Sequence, residues 1–182
     1  IISVDEKLKR MIKMNIFKKI ARALTSQAAR ENKKYYTSAI IVAAGKSTRT
    51  SGNLPKQLVP IKGIPVVVRI MLAFEKCPLI NEIIVVASHE QIKEYENFRR
   101  EYGIKKLSAV TVGGETRSDS VEAGFRAVSS KCEFVAIHDG ARCLIKPEDI
   151  ERVVKSAFRY GAAIIASRST DTLKKVDEKG VI

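Results

Sequence analysis

Strand-like apolar runs alternating with helix-like amphipathic segments from residue 38 onward predict an α/β domain with a mainly parallel, doubly wound, Rossmann-like sheet. Three observations carry this reading. Apolar runs of strand length recur at residues 39–44, 82–87, 109–112, 134–137 and 162–166, without the alternation of a half-solvated strand. Four segments of helical periodicity lie between them. Polar loops dense in Gly, Ser, Thr, Asp and Arg follow the first, third, fourth and fifth runs, on the edge where ligands gather in parallel sheets.

Residues 1–37 read as an extension to this domain. Leu8, Ile12, Ile16, Ile20 and Leu24 recur every four residues, with lysines on the opposite side, which predicts a basic amphipathic helix. Such a helix is compatible with packing on its own protein, docking a partner or lying on a membrane surface. The polar stretch at 27–37 is the junction, so the expected division is 1–37 and 38–182.

From residue 38 the elements follow in order. The first run feeds directly into the loop AAGKSTRTSGNLPKQ, with cations at Lys46, Arg49 and Lys56. A helix is expected at 65–76, with Pro near its start, and a charged amphipathic helix at 90–102 after the second run. The third run ends in GGETRSDS at 113–120, and a helix with Ser118 as its hydroxyl cap follows at 118–129. The fourth ends in HDGAR at 138–142. Pro147-Glu148-Asp149 opens a helix that Gly161 closes, and SRSTDTLKK at 167–175 follows the fifth run.

Composition narrows the function classes. The 182 residues are 45% hydrophobic, enough for one core, and no apolar run approaches the length of a membrane span. The net charge of +13 is unevenly placed: residues 1–37 hold ten Lys and Arg against three Asp and Glu, the remainder 23 against 17. The body is therefore only moderately basic, which suits small phosphorylated substrates, and its cations lack the interleaved aromatics of a single-strand binder. Neither nucleic acid nor stable membrane association is expected. Cys77, Cys132 and Cys143 are too scattered for a disulfide framework or a C-x-x-C metal site, and the amino terminus lacks signal-peptide order, so a reducing cytoplasm is the simplest compartment.

Two decoys fall away. GKST at 45–48 imitates the end of a P-loop, but that motif requires Gly where Ile40 stands; a dinucleotide fingerprint fails at Ser47. What remains is a strand followed by a loop rich in backbone and hydroxyl donors, suited to an anion. Asp139, ending a buried strand, is a carboxylate on a rigid element, as a magnesium ligand is commonly held. Lys46, Arg49, Lys56 and Arg142 can neutralise a triphosphate, and phosphoryl or nucleotidyl transfer rests on that neutralisation with no protein nucleophile. None is evident: there is no G-x-S-x-G elbow, Cys143 has no base partner, and His138 is better explained as structural. The Gly113-Gly114-Glu115 run with Ser118 and Ser120 offers backbone groups and hydroxyls to a nucleobase edge.

The motifs AAGKSTR at 43–49, PKQ at 55–57, GGETRSDSV at 113–121, HDGAR at 138–142 and TDTLK at 170–174, in this order and spacing, resemble the 2-C-methyl-D-erythritol 4-phosphate cytidylyltransferases and their relatives that use ribitol 5-phosphate. The resemblance covers essentially everything from Ser38 onward. It implies a nucleotidyltransferase domain converting CTP and 2-C-methyl-D-erythritol 4-phosphate to CDP-methylerythritol and pyrophosphate, with Mg²⁺. It places Ala43, Ala44, Gly45, Arg49 and Lys56 around the triphosphate, with Arg49 and Lys56 as the catalytic charge-stabilising pair. Gly114, Glu115 and Ser120 fall at the cytosine, Gly140 and Arg142 at the nucleotide, Asp139 at the metal, and Thr170, Asp171 and Thr172 at the substrate. An arm beginning in the TDT segment implies a homodimer.

Departures from the pattern stand at Ser47 for Gly, Thr50 for Met, Cys143 for Pro, and Thr170 where a basic residue is frequent. The chain stops at Ile182, inside the expected arm, so a truncated domain with weak or no turnover is expected. The alternatives are a ribitol-5-phosphate cytidylyltransferase, another nucleotidyltransferase such as a sugar-nucleotide pyrophosphorylase, and a non-catalytic nucleotide-binding or interaction module. The last would show steeply salt-dependent RNA binding that disappears when residues 1–37 are deleted.

Overall fold

The computed structural model describes residues 34–45, 54–168, 172, 174–175 and 177–179. The expected helix within residues 1–37 therefore lies largely outside the described residues, as do Lys46, Arg49, Thr170 and Asp171. The elements are β1 (Thr37–Val42), β2 (Pro60–Ile61), β3 (Ile64–Pro65), α1 (Val66–Lys76), β4 (Glu82–Ala87), α2 (Ile92–Glu101), β5 (Leu107–Val112), α3 (Arg117–Ala127), β6 (Phe134–Asp139) and α4 (Pro147–Tyr160). A 3₁₀ turn at His89–Gln91 precedes α2.

The main sheet has the order β5-β4-β1-β6, and every pairing in it is parallel. That bears out the doubly wound expectation. Strand β1 is its centre: Ala39, Ile40 and Ile41 have no solvent exposure. Alternation along β1 and β4 divides the layers. Ala39, Ile41, Ile83 and Val85 join the core formed with Val67, Ile70, Met71 and Phe74 of α1, Tyr95 and Phe98 of α2, and Ile150, Val154 and Phe158 of α4. Ile40 and Val86 point to the other face, where α3 packs so closely that a Cβ on Gly124 would lie 2.5 Å from Ile40 Cγ2. Tyr35, Phe134 and Phe158 stack with ring centroids 4.6–4.9 Å apart beside the start of β1, and bury the chain's entry into the sheet.

β4 and β6 flank β1 on opposite edges, and the loops after β1, β5 and β6 all leave from the carboxyl edge of the sheet, where they border a crevice. Val42 is in register with Asp139 on one side and Val86 on the other. The ladder continues one step further, through Ala43 N–H to Val86 O (2.7 Å) and Gly140 N–H to Val42 O (2.7 Å). The loops thus leave the sheet from fixed positions.

Three local expectations are corrected. Residues 162–166 form no strand: Ile164 and Ile165 are exposed, and the run pairs with neither edge strand of the sheet, although β6 has β1 as its only partner among the described residues and so keeps one edge open. The cap of α3 is Thr116, not Ser118. Its hydroxyl accepts from Asp119 N–H while Asp119 accepts from Thr116 N–H, a capping box with Asp in the third position that also holds the Asp119 carboxyl below its usual pKa. The two-residue hairpin of β2 and β3 was not foreseen; Lys62 (φ 48°) and Gly63 (φ 76°) both take the positive φ of a primed turn.

At the opposite end of the sheet, the buried Glu82 carboxylate accepts from the hydroxyl of Ser38 in β1, from Ser129 N–H beyond α3 (2.7 Å) and from the hydroxyl of Ser108 in β5 (3.3 Å). One side chain therefore joins three segments. Replacing it by Ala leaves buried donors without an acceptor, so Glu82→Ala should lower stability by about 3 kcal/mol in urea unfolding; a change within the scatter of surface substitutions would refute this role.

Candidate functional site

The crevice is assembled from three strand ends. Ala43 is buried, Ala44 half-buried and Gly45 exposed, so the backbone after β1 rises from the core to solvent over three residues. The loops after β5 and β6 close on it from either side. A Cβ on Gly113 would lie 2.5 Å from Ala44 Cβ and 2.8 Å from Ser120 Oγ. A Cβ on Gly140 would lie 2.7 Å from Ala43 Cβ and 2.8 Å from Val42 O. Both distances are impossible for real side chains. The two glycines are therefore the condition for bringing Ser120 and Asp139 to the same strand end.

Ser120 is buried near the start of α3, with its backbone N–H donating to Thr116 O (3.1 Å). Gly114 and Glu115 are exposed in the turn before that helix. These three stand together on the β5 side of the crevice; Gly140, Asp139 and Arg142 stand on the β6 side. Lys56 is half-buried. Thr172 is exposed, and the strand expected to lead to it is absent.

Two residues the sequence reading left without a role emerge here. Gln57, buried, donates from Nε2 to Ala43 O (2.9 Å) and to Gly45 O (3.1 Å), while its own carbonyl accepts from Val67 N–H in the first turn of α1 (2.9 Å). It joins the two ends of the loop that contains Arg49 and seats Lys56, its neighbour, beside them. Its place in the PKQ motif was the one signal for it in the sequence. The second is Arg117, at the head of α3. Its Nε and Nη2 donate to Asp139 Oδ1 (3.2 and 3.0 Å), and Arg142 Nε donates to Asp139 Oδ2 (2.8 Å). Twenty-two residues separate Arg117 from Asp139, so no local spacing signals the pair.

Burial alone would raise the Asp139 pKa, but the Arg117 hydrogen bond and the charges of Arg117 and Arg142 outweigh it, and the carboxyl is held below its usual range. It is ionised at neutral pH. His138 contrasts with it: burial pushes its pKa down, its ring packs edge-on against Phe74 (5.4 Å between centroids), and Nδ1 has no hydrogen-bond partner among the described residues. A neutral, packed imidazole fits a structural role. A cavity of about 780 Å³ runs from Asp139, Arg117 and Arg142 along β6 to Cys143, Val153 and Ile164.

Among the described residues no three His, Cys, Asp or Glu side chains are grouped to hold a metal. A lone ionised strand-end carboxylate, with its side chain one-third exposed, nonetheless fits a hard cation that takes its other oxygens from water and phosphates. No helix among the described residues is long and apolar enough to cross a membrane.

Residues 37–182 match the family model described as IspD: 2-C-methyl-D-erythritol 4-phosphate cytidylyltransferase. The chain is 43% identical over 147 residues to the 2-C-methyl-D-erythritol 4-phosphate cytidylyltransferase of Caldanaerobacter subterraneus, covering 80% of this chain and 64% of that one. It is 38% identical over 145 residues to the enzyme of the same description from Syntrophus aciditrophicus, covering 79% and 62%. The crystal structure of 4-diphosphocytidyl-2C-methyl-D-erythritol synthase from Anaerococcus prevotii superposes with a TM-score of 0.71 at 25% identity, covering 84% of this chain and 63% of that one. The chain thus spans about three fifths of the length of the relatives it matches.

The hydrogen bonds of Gln57 set a test of the site's construction. Gln57→Glu turns an acceptor-only carboxylate toward two carbonyl oxygens, and stability at pH 7 should fall by about 2–4 kcal/mol. Burial and repulsion raise the folded-state pKa of the new carboxyl above the ordinary Glu value of about 4.3. Below that value the protonated carboxyl can donate, so the deficit appears as pH rises through the folded pKa. Urea unfolding at pH 4.5 and 7.5 checks this, and a deficit independent of pH would refute it.

Proposed function

The chain belongs to the 2-C-methyl-D-erythritol 4-phosphate cytidylyltransferase family, and from that membership we propose that it transfers a cytidylyl group from CTP to 2-C-methyl-D-erythritol 4-phosphate. The products are CDP-methylerythritol and pyrophosphate. The observation that carries the proposal is the meeting of three loops at the ends of β1, β5 and β6, where Gly113 and Gly140 approach Ala44 and Ala43 within less than a side chain's width. The residue roles come from the family pattern, and the meeting of the loops supports those at Ala43, Ala44, Gly114, Ser120, Asp139 and Gly140.

The triphosphate lies along the backbone of Ala43, Ala44 and Gly45: the Ala43 N–H is held by Val86 O and fixes the start of the run, and the backbone beyond it, rising to solvent at Gly45, suits an anion. The cytosine lies on the β5 side, where Gly114 and Glu115 present backbone groups and Ser120 a hydroxyl. Gly140 and Arg142 border the nucleotide from the β6 side. The acceptor's phosphate oxygen attacks the α-phosphorus, the bond to the bridging α–β oxygen breaks opposite it, and pyrophosphate leaves with that electron pair. Charge builds on the equatorial oxygens and on the leaving pyrophosphate. Arg49 and Lys56 neutralise it, and Gln57 fixes Lys56 relative to the loop's two ends before substrate arrives.

Asp139 would hold Mg²⁺, which when bound supplies a hard Lewis acid for the phosphate oxygens. Thr170, Asp171 and Thr172 contact the acceptor, the enzyme acts in the cytoplasm, and the full-length protein is a homodimer. The division into an extension at 1–37 and a catalytic domain from 38 belongs to the same proposal.

Three measurements test this function. Titration calorimetry should show CTP·Mg²⁺ bound in preference to ATP and GTP; equal affinity for all three would sink the cytosine assignment. In a pyrophosphate-release assay of the full-length protein, methylerythritol phosphate should be the productive acceptor, and ribitol phosphate in its place would move the chain to the related activity. Lys56→Ala should reduce turnover on the order of a hundred-fold while shifting stability by no more than about 0.5 kcal/mol. Unchanged turnover removes Lys56 from the mechanism.

A further inference from the structure

The carboxylate assigned to the metal is already engaged. Both Asp139 oxygens accept from arginine: Oδ1 from two nitrogens of Arg117, Oδ2 from Arg142 Nε. The two cations come from different elements, the head of α3 and the loop after β6, and they bracket the carboxylate from both sides. The group of three carries a net positive charge. A free divalent cation approaching it must displace a guanidinium and then sit beside two positive charges, and among the described residues no group of three His, Cys, Asp or Glu side chains stands ready to compensate.

The bracket is also weak enough to open. The Arg117 and Arg142 side chains are 63% and 77% exposed, the range in which ion pairs contribute little and solvated alternatives compete well. A triphosphate at the end of β1 offers both guanidinium groups several charged oxygens in the fork geometry they match best, in exchange for one carboxylate.

We propose that Arg117 and Arg142 close Asp139 to a free divalent cation and release it when a nucleoside triphosphate draws the guanidinium groups away, so that the cation enters together with its nucleotide. This rests on the cytidylyltransferase reading and deepens it: Arg117, given no role by the family pattern, becomes a binding residue that couples metal access to nucleotide arrival. It also gives Arg142 a second duty, exchanged between carboxylate and phosphate.

The test uses the full chain and Mn²⁺ as the probe, with free Mn²⁺ read by electron paramagnetic resonance in the absence of nucleotide. The native protein and Asp139→Asn should bind Mn²⁺ equally weakly. Arg117→Gln and Arg142→Gln should each tighten binding, on the order of ten-fold, because a positive charge next to the cation is removed and a carboxylate oxygen freed. The double variant Arg117→Gln/Asp139→Asn should lose the gain. In calorimetry Arg117→Gln should move affinity for CTP·Mg²⁺ in the opposite direction, weakening it, and Arg117→Lys should restore weak nucleotide-free Mn²⁺ binding.

Native protein that binds free Mn²⁺ through Asp139, or arginine variants that bind it no better than native, would overturn the proposal. So would changes of the same sign in the two affinities, since that pattern marks a residue that merely shapes the pocket. Both arginines are largely exposed, so circular dichroism should show the folded state retained in either variant, and each is an independent test. If native protein fails to bind CTP·Mg²⁺ at all, it is the cytidylyltransferase reading that fails; the nucleotide-free Mn²⁺ series still decides whether the arginines close Asp139.

Discussion

The site depends on the burial of β1. A strand with a parallel neighbour on each edge and a helical layer against each face can leave the interior only at its ends. At the carboxyl end the neighbouring strands part company, β4 continuing to α2 and β6 toward α4. The backbone that emerges there stays buried at Ala43 and reaches solvent only at Gly45, with the loops after β5 and β6 closing on it. Parallel topology gathers these polar loops at one edge, where they wall the crevice.

What distinguishes this crevice from the general one is how closely its rim is drawn in. Gly113 and Gly140 let two loops touch the third at distances that forbid a Cβ. The capping box of Thr116 and Asp119 then sets the angle at which α3 leaves, which in turn aims Arg117 across the crevice at Asp139. Glu82 fixes β1, β5 and the segment after α3 at the far end of the sheet. The functional end is thus held by close contact and the opposite end by a buried carboxylate, with the apolar layers of Ile40, Ile41 and Val85 between them.

The fold class was legible because each strand announces itself by composition: IIV and EIIVVA are buried strands as expected, whereas FVAIH forms a strand that is only half-buried, with Ile137 exposed. Helix limits were legible where a breaker stands at the boundary, as at Pro147 and Gly161, and slipped where two candidate caps lie two residues apart, as Thr116 and Ser118 do. The run at 162–166 misled because β propensity describes what a segment can join and not whether it is brought alongside an edge: β6 offers one, and the run does not pair with it. Within the site, residues in short motifs such as Gly140 and Asp139 could be named in advance. Gln57 and Arg117 could not be given roles, because their partners lie 12 to 22 residues away and only the folded backbone brings them together.

The carboxamide of Gln57 closes residues 45–57 into a ring whose clasp is two hydrogen bonds instead of a covalent bond. A clasp of this kind separates two kinds of sequence freedom. Residues between the fastened ends, Ser47 and Thr50 among them, take no part in either hydrogen bond, so exchanging them leaves the clasp as it is. The number of residues from Gly45 to Gln57 is what the clasp has to span, so insertions and deletions bear on it more than exchanges do. The loop can therefore drift in composition far more readily than in length, as a ring of fixed circumference accepts new beads but not extra ones.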